Sequence, residues 1–371
     1  MIRMKIPIAE QAEAADDLVR LVGFASEKIV SIETLGEDLV VSLEEGANEE
    51  DIGSKIKRIL KHRSSSSPPA VICSIGETRR ERFCTDFPEQ LVKRYGNGLI
   101  GLKGEALRLF DYFNERFRAF ALEAEAVENQ YPTLLPISVL DKTGYLRTSP
   151  QYSMYVCHPK EDVDDLLLTS KAAGDKRIKE IIHEPEHVLS PAACFHCYMD
   201  LEKTELARPS VFTFLQKVFR HEGRMNWRGF GRLCDYHVRE IVFIGDDRFV
   251  RKKRSECIEK VKQLAEELSI ASRLCVTSDP FVVPTMQKFK QIQMEEESKL
   301  ELQLAYGKEQ FLATASFNLH GAAFTSPFQI QVKHIPHAVT GCIGFGLERW
   351  VLGFMAQHGT NPNDWKKIIP L

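Results

Sequence analysis

The apolar positions change rhythm along the chain. Over Glu10–Val19 they recur at helical spacing, Lys28–Thr34 and Leu39–Leu43 alternate like strands around Gly36-Glu37-Asp38, and Glu49–Leu60 is helical again. This predicts a small αββα unit over residues 1–63. The polar, Pro-terminated run Ser64-Ser65-Ser66-Ser67-Pro68-Pro69 reads as a linker over 64–69. In the remainder, 70–371, Gly104–Glu123 carries Leu107, Leu109, Phe110, Phe113, Phe117 and Phe120 as the apolar stripe of a long helix. Ala124–Leu140 leads into a turn at Lys142-Thr143-Gly144-Tyr145. Ser210–Glu222 and Tyr236–Ile244 have strand composition, with a Gly- and Arg-rich loop, 223–234, between them. A charged helix spans Asp247–Leu268; Leu300–Tyr306, Phe311–Phe317 and Phe328–Val332 read as strands, and Glu348–His358 as a buried helix. Strands outnumber helices between Ser210 and Val332, so the fold class is α+β with an antiparallel sheet rather than a doubly wound parallel one.

A chain of 371 residues accommodates two or three domains, and 43% hydrophobic with 27% charged residues is a globular composition that excludes disorder and collagen. The formal charge of −3 removes any global basic field, so a nucleic-acid partner would need a local patch. Residues 1–63 hold 9 basic against 13 acidic side chains, a net −4 that repels phosphate backbones and makes a poor tRNA-gripping arm. Nine cysteines, an odd number, behind an opening without an apolar leader indicate free thiols and a cytoplasmic location. Apolar runs such as Ala70–Ile75 and the one around Leu166–Leu168 fall far short of the roughly 18–20 residues of a membrane span, so no membrane association is expected.

Two constellations suggest nucleotide chemistry. Phe219-Arg220-His221-Glu222, a loop, and Arg232-Leu233-Cys234-Asp235-Tyr236-His237-Val238-Arg239-Glu240 would place guanidinium groups and an aromatic ring around a phosphate and a base. A solvated hairpin with surface arginines is the plainer alternative. Gly344-Phe345-Gly346-Leu347-Glu348-Arg349-Trp350 ends a strand on two glycines and opens a helix with Glu and Arg, where an Arg can reach a phosphate. For metal binding, spacing alone offers a closed site from Cys194-x-x-Cys197 and Cys234-x-x-His237; ordinary buried thiols are the other reading. The run Arg248, Arg251, Lys252, Lys253, Arg254 reads as a solvated helix face, with docking of an acidic partner as the lesser alternative. Cys157-His158 lacks a completing triad member, and Met286–Met294 reads as core or helix surface.

Together the two nucleotide constellations resemble motifs two and three of the class II aminoacyl-tRNA synthetases. Ala193-Cys194 after Ser190-Pro191, Arg239-Glu240-Ile241-Val242, Asp279-Pro280-Phe281, Ala315-Ser316-Phe317-Asn318 with His320, and Thr340-Gly341-Cys342-Ile343-Gly344-Phe345-Gly346 resemble the amino acid:[carrier protein] ligases, truncated relatives of zinc-dependent seryl-tRNA synthetases. The likeness runs from about Gly98 to His358 and leaves residues 1–63 without a role. It implies a synthetase-like catalytic domain over 70–371, with an antiparallel sheet flanked by helices and a homodimer interface on the Gly104–Glu123 helix and Ala124–Pro136.

The resemblance also implies an open zinc site of Cys194, Glu240 and Cys342 that receives the substrate's amino group, with Asn318 beside the substrate. For ATP it implies Arg220 on the α-phosphate, Glu222 at the adenosine, Arg232 and Leu233 beside the triphosphate, Tyr236 stacking, and Arg349 on the γ-phosphate. Lys299, Glu301, Thr314, Ala315 and Ser316 line the same site. Arg220, Glu222 and Arg349 then carry the catalysis. Mg²⁺ is expected on the phosphates, but Leu312, Ala313 and Thr314 stand where seryl synthetases carry a magnesium-binding acid, which leaves Glu301 as the protein candidate. The implied function is ATP-dependent activation of glycine, alanine or serine and transfer to the phosphopantetheine thiol of a carrier protein, with tRNA not expected as a partner. A seryl-type aminoacyl-tRNA ligase and a non-catalytic regulatory paralogue are the alternatives.

Overall fold

The computed structural model describes residues 2–8, 15–61, 70–76, 83–171, 178–227, 229–279, 281–286 and 288–369. The Ser64–Pro69 linker and the opening of the Glu10–Val19 helix lie outside these residues.

The N-terminal unit contains strands β1 (Ile2–Pro7), β2 (Ile29–Leu35) and β3 (Asp38–Leu43) and helices α1 (Ala15–Val22) and α2 (Glu49–Lys61). Its sheet has the order β1-β3-β2. Strand β1 is absent from the expected αββα pattern, although Ile2, Met4 and Ile6 alternate with Arg3 and Lys5. It pairs antiparallel with β3, from Ile2 with Leu43 to Pro7 with Asp38, and makes the unit βαββα. Leu18, Leu21, Ile29, Leu39, Val41, Ile52 and Ile56 enclose a core of its own.

The large sheet has eight strands: β4 (Ala70–Ile75), β5 (Val127–Glu128), β6 (Ser210–Phe219), β7 (Asp235–Gly245), β8 (Ser272–Val276), β9 (Lys299–Ala305), β10 (Phe311–Gly321) and β11 (Val339–Gly346). Their order is β4-β8-β9-β10-β11-β7-β6-β5, antiparallel except where β5 pairs with β6. The period of two sends alternate side chains to opposite faces. Ile241, Phe243, Ile343, Phe345 and Phe317 face three helices, α3 (Glu105–Glu123), α4 (Asp247–Glu267) and α5 (Leu347–His358). There Phe117 stacks on Phe345 at 4.0 Å and lies 5.1 Å from Trp350. Full burial of such rings contributes about 1.5–3 kcal/mol each. Val242, Phe212, Phe214 and Cys342 point to the other face, where a second core forms with Leu135, Phe195 and Tyr198.

Two expectations change. Phe328–Val332 is not a strand: Thr325–Phe328 forms a helical turn that Gln329 ends at φ 53°, and only Gln331–Val332 is extended. On α3, Leu107 is 47% exposed, so the buried stripe runs through Ala106, Leu109, Phe113, Phe117 and Phe120. Among the described residues, no helix is long and apolar enough to cross a membrane.

Candidate functional site

The face of the sheet away from α3, α4 and α5 carries a cavity of about 1910 Å³. Its floor is set by strand register. Glu240 on β7 is opposite Gly344 on β11, Gly344 is opposite Ser316 on β10, and Ser316 is opposite Glu301 on β9. One row away, Val242, Cys342, Asn318 and Lys299 follow the same course. The absence of a side chain at Gly344 leaves room for the Glu240 carboxylate, since a Cβ there would lie 2.9 Å from Glu240 Oε2.

Cys194, which opens the short helix Phe195–Asp200, closes over this floor. The ligand atoms of Cys194, Glu240 and Cys342 lie within 4.8 Å of one another, and all three residues are buried. Burial pushes the Glu240 carboxyl well above its ordinary range, with Cys342 adding to the effect. Hydrogen bonding with Cys194 and burial push Cys342 well up in turn. Cys194 is also raised: Cys342 favours its thiolate, but burial, Glu240 and Cys197 outweigh that. Three acids crowded in a dry site disfavour one another's charge, and a divalent cation inverts that relation. Two thiols and a carboxylate from three segments match the three-ligand chemistry of a zinc site with an open position.

The alternative Cys-x-x-Cys set is not assembled. Among the described residues, Cys194, Glu240 and Cys342 are the one group of three or more candidate ligands. Cys234 Sγ instead meets Met154 Sδ at 4.0 Å, and His237 Nδ1 meets Glu348 Oε1 at 2.7 Å. Cys197 is wholly buried and lies beside Tyr131. Around the triad, Asn318 Nδ2 donates to Cys342 Sγ at 3.5 Å, and His320 Nε2 lies 3.7 Å from the same sulfur. Burial lowers His320 to about 4, so its imidazole is neutral near pH 7.

At the other end of the cavity the side chains are cationic and aromatic. Arg220, just past β6, is held by a hydrogen bond from Nε to the Pro191 carbonyl at 2.9 Å. Arg232 Nη1 pairs with the buried Glu222 carboxylate at 3.3 Å. Arg349, in the first turn of α5, lies 4.9 Å over the Tyr236 ring and donates from Nη1 to the Ala313 carbonyl at 3.3 Å. Among the described residues, its Nε is buried without a hydrogen-bond partner. A guanidinium with one buried N–H left over suits an anionic ligand.

Every expected site residue borders the cavity except Leu233, which is 2% exposed and packs in the core beneath it. Lys299 and Glu301 do not stand alone: Lys299 Nζ lies 2.6 Å from Asp279 Oδ1 and 3.5 Å from Glu301 Oε1. Burial opposes the Asp279 charge, but Lys299 and Gln293 outweigh it and bring its pKa down to about 2. Pro280, between Asp279 and Phe281, lies outside the described residues. Met286, Gln293 and Met294 border the cavity as well. Tyr145 and Tyr152 border it too, and they belong to a stretch without any periodicity that marks a site. The opposite-facing Arg239 instead ties β7 to α3 through Asn114 at 3.0 Å and to β5 through Glu128 at 3.1 Å. In the basic run on α4, Arg251 pairs with Asp247 at 2.7 Å, both bordering the cavity, and Lys253 pairs with Glu256 at 3.6 Å.

No family model matches the chain. It is 32% identical over 324 residues to a type-2 serine–tRNA ligase of Methanococcus maripaludis strain C5, covering 81% of this chain and 63% of that protein. With the type-2 serine–tRNA ligase of Methanocaldococcus jannaschii it shares 28% over 343 residues, 86% and 64% of the two chains. The chain thus spans a little under two thirds of the length of these curated relatives. In fold it is similar to the Methanopyrus kandleri seryl-tRNA synthetase solved in complex with an Aquifex aeolicus tRNASec, with a TM-score of 0.68, 23% identity, and 93% and 73% of the chains covered. It is also similar to a cytoplasmic serine–tRNA ligase of Naegleria fowleri in complex with AMP, with a TM-score of 0.60, 11% identity, and 84% and 68% covered.

The fold is that of the class II synthetases, and the relatives support a class II aminoacyl-tRNA synthetase-like family. They overturn two expectations from sequence. The relatives are named serine–tRNA ligases, which sets aside the carrier-protein acceptor, and a structural neighbour is bound to tRNA, against the exclusion of tRNA as a partner. An acidic N-terminal unit was a poor guide because net charge over 63 residues does not locate the surface that meets an acceptor.

Proposed function

We propose that this chain, with the fold of a class II synthetase, uses ATP to activate serine and passes the seryl group to a tRNA. The reading rests on one observation: the buried cluster of Cys194, Glu240 and Cys342 shares a cavity with Arg220, Arg232, Arg349 and Tyr236. Serine and tRNA enter through the names of the curated relatives.

Cys194 Sγ, the Glu240 carboxylate and Cys342 Sγ would hold zinc, which when bound seats a neutral amino group at its open position. Asn318 and His320 fix the Cys342 sulfur from the side. The serine carboxylate is then directed toward Arg220. Its oxygen attacks the α-phosphorus, the bond to the bridging oxygen breaks, and pyrophosphate leaves. The nucleophile is already ionised, so the protein's work is alignment and charge neutralisation rather than proton removal. Arg220 neutralises the α-phosphate and Arg349 the departing end. Arg349 lies over the Tyr236 ring, which joins the cationic and aromatic parts of the proposed nucleotide site. A ribose hydroxyl of the tRNA terminus next attacks the activated carbonyl, and AMP leaves.

Serine-dependent ATP–pyrophosphate exchange, followed by acylation of tRNA, tests the reading. Exchange with serine well above that with glycine or alanine is expected, together with tRNA affinity that falls steeply with salt. No exchange with any amino acid would remove the enzymatic reading. Cys197→Ala should leave metal content and exchange in place and cost about 1 kcal/mol of stability, as elemental analysis and thermal melting would report.

A further inference from the structure

The N-terminal unit reaches the nucleotide end of the cavity. Val19 and Arg20 on α1 and Ser31, Ile32 and Glu33 on β2 border it. The unit is seated on the loop from β6 to β7. Arg224 of that loop donates to the carbonyl oxygens of Glu27 and Ile29. The Phe24 ring closes on Gly223, where a Cβ would meet it at 2.6 Å and the backbone φ is 88°. Met225 would lie 3.3 Å from a Cβ on Gly23, and Val282 packs into the unit's own core. The same loop carries Glu222 and Arg232, so its position and that of the unit are set together.

This seating brings a third guanidinium to the wall formed by Arg232 and Arg349. Burial lowers the pKa of Arg232; Glu222 counters that, while Arg20 and Arg349 add to the lowering, which places all three cations within electrostatic reach. The Arg20 charge is also felt at Tyr152. Like charges gathered in a cavity repel, and a polyanion seated among them turns that repulsion into binding.

On the ATP-dependent reading above, we propose that the N-terminal unit completes the nucleotide site, with Arg20 meeting the β- and γ-phosphates of ATP beside Arg232 and Arg349. The role assigned to residues 1–63 is therefore nucleotide binding through this one side chain, held in place by the clasp between Arg224 and the β2 end of the unit.

Calorimetric titration of the full chain with magnesium and either α,β-methylene-ATP or AMP tests this directly. Arg20→Gln should weaken the ATP analogue by about tenfold to a hundredfold, the range of a lost charge-assisted contact, and leave AMP binding unchanged. Arg224→Ala should produce the same selective loss at smaller size. Arg58→Gln, on the exposed side of α2, should change neither ligand. Unchanged affinity for both nucleotides in Arg20→Gln overturns the assignment, as does an equal loss for both. If the parent protein binds the ATP analogue but shows no serine-dependent exchange, the proposed activity fails while the comparison of ATP with AMP still decides the role of Arg20.

Discussion

Cys342→Ala is expected to lose bound zinc and to reduce serine-dependent exchange by more than about a hundredfold, beyond the 10–100-fold typical of removing an outer-shell partner of a metal ligand. The size follows from the site's construction. Cys342 is 4% exposed, and its sulfur is shared among Cys194, Glu240, Asn318 and His320. Removing it leaves two ligands, too few to hold the cation against water, and a Glu240 carboxyl that burial favours in its protonated form. The loss should appear in both metal content and kcat/KM while the fold persists, because Val242 and Asn318, its register neighbours, remain in the sheet. Exchange that survives with zinc absent would show that the cluster has another purpose.

Arg220→Lys is expected to lower kcat by about 10²–10³-fold, with a smaller change in the KM for serine. Lysine keeps the charge but not the planar fork that Arg220 presents while its Nε is tied to the Pro191 carbonyl. Losing one preorganised donor at a developing charge costs about 2.7–4 kcal/mol in comparable sites. Steady-state exchange kinetics would separate this from a binding defect. An unchanged kcat would place the α-phosphate elsewhere in the cavity.

Sequence patterning carries much of this architecture because the strands that build the site are rich in β-branched and aromatic residues, as strands buried on both faces are. Glu240 enters the site through the resemblance, and its burial in a strand beside Ile241, Val242 and Phe243 gives the physical reason a partner is needed there. Gly344 is legible in the sequence: a glycine inside a strand marks close approach, here of Glu240. Cys234 and His237 show where spacing misleads. Both lie at the opening of β7, yet one meets Met154 and the other Glu348, contacts set by tertiary packing that Cys-x-x-His spacing does not encode. Leu233 follows the same rule, because the loop turns it into the core while its neighbour Arg232 faces the cavity. Arg20 is invisible to local patterns altogether, being brought to the nucleotide wall by the docking of one unit on another. Net charge is a property of the whole segment and not of any surface, so the −4 over residues 1–63 carries no weight against a tRNA acceptor.

Zinc titration of exchange activity bears most directly on the central claim that Cys194, Glu240 and Cys342 seat the amino acid through a metal. Protein stripped with a chelator should bind ATP yet show no serine-dependent exchange, and should regain full activity on addition of one zinc per chain. Full exchange in protein shown by elemental analysis to be free of zinc would contradict the account.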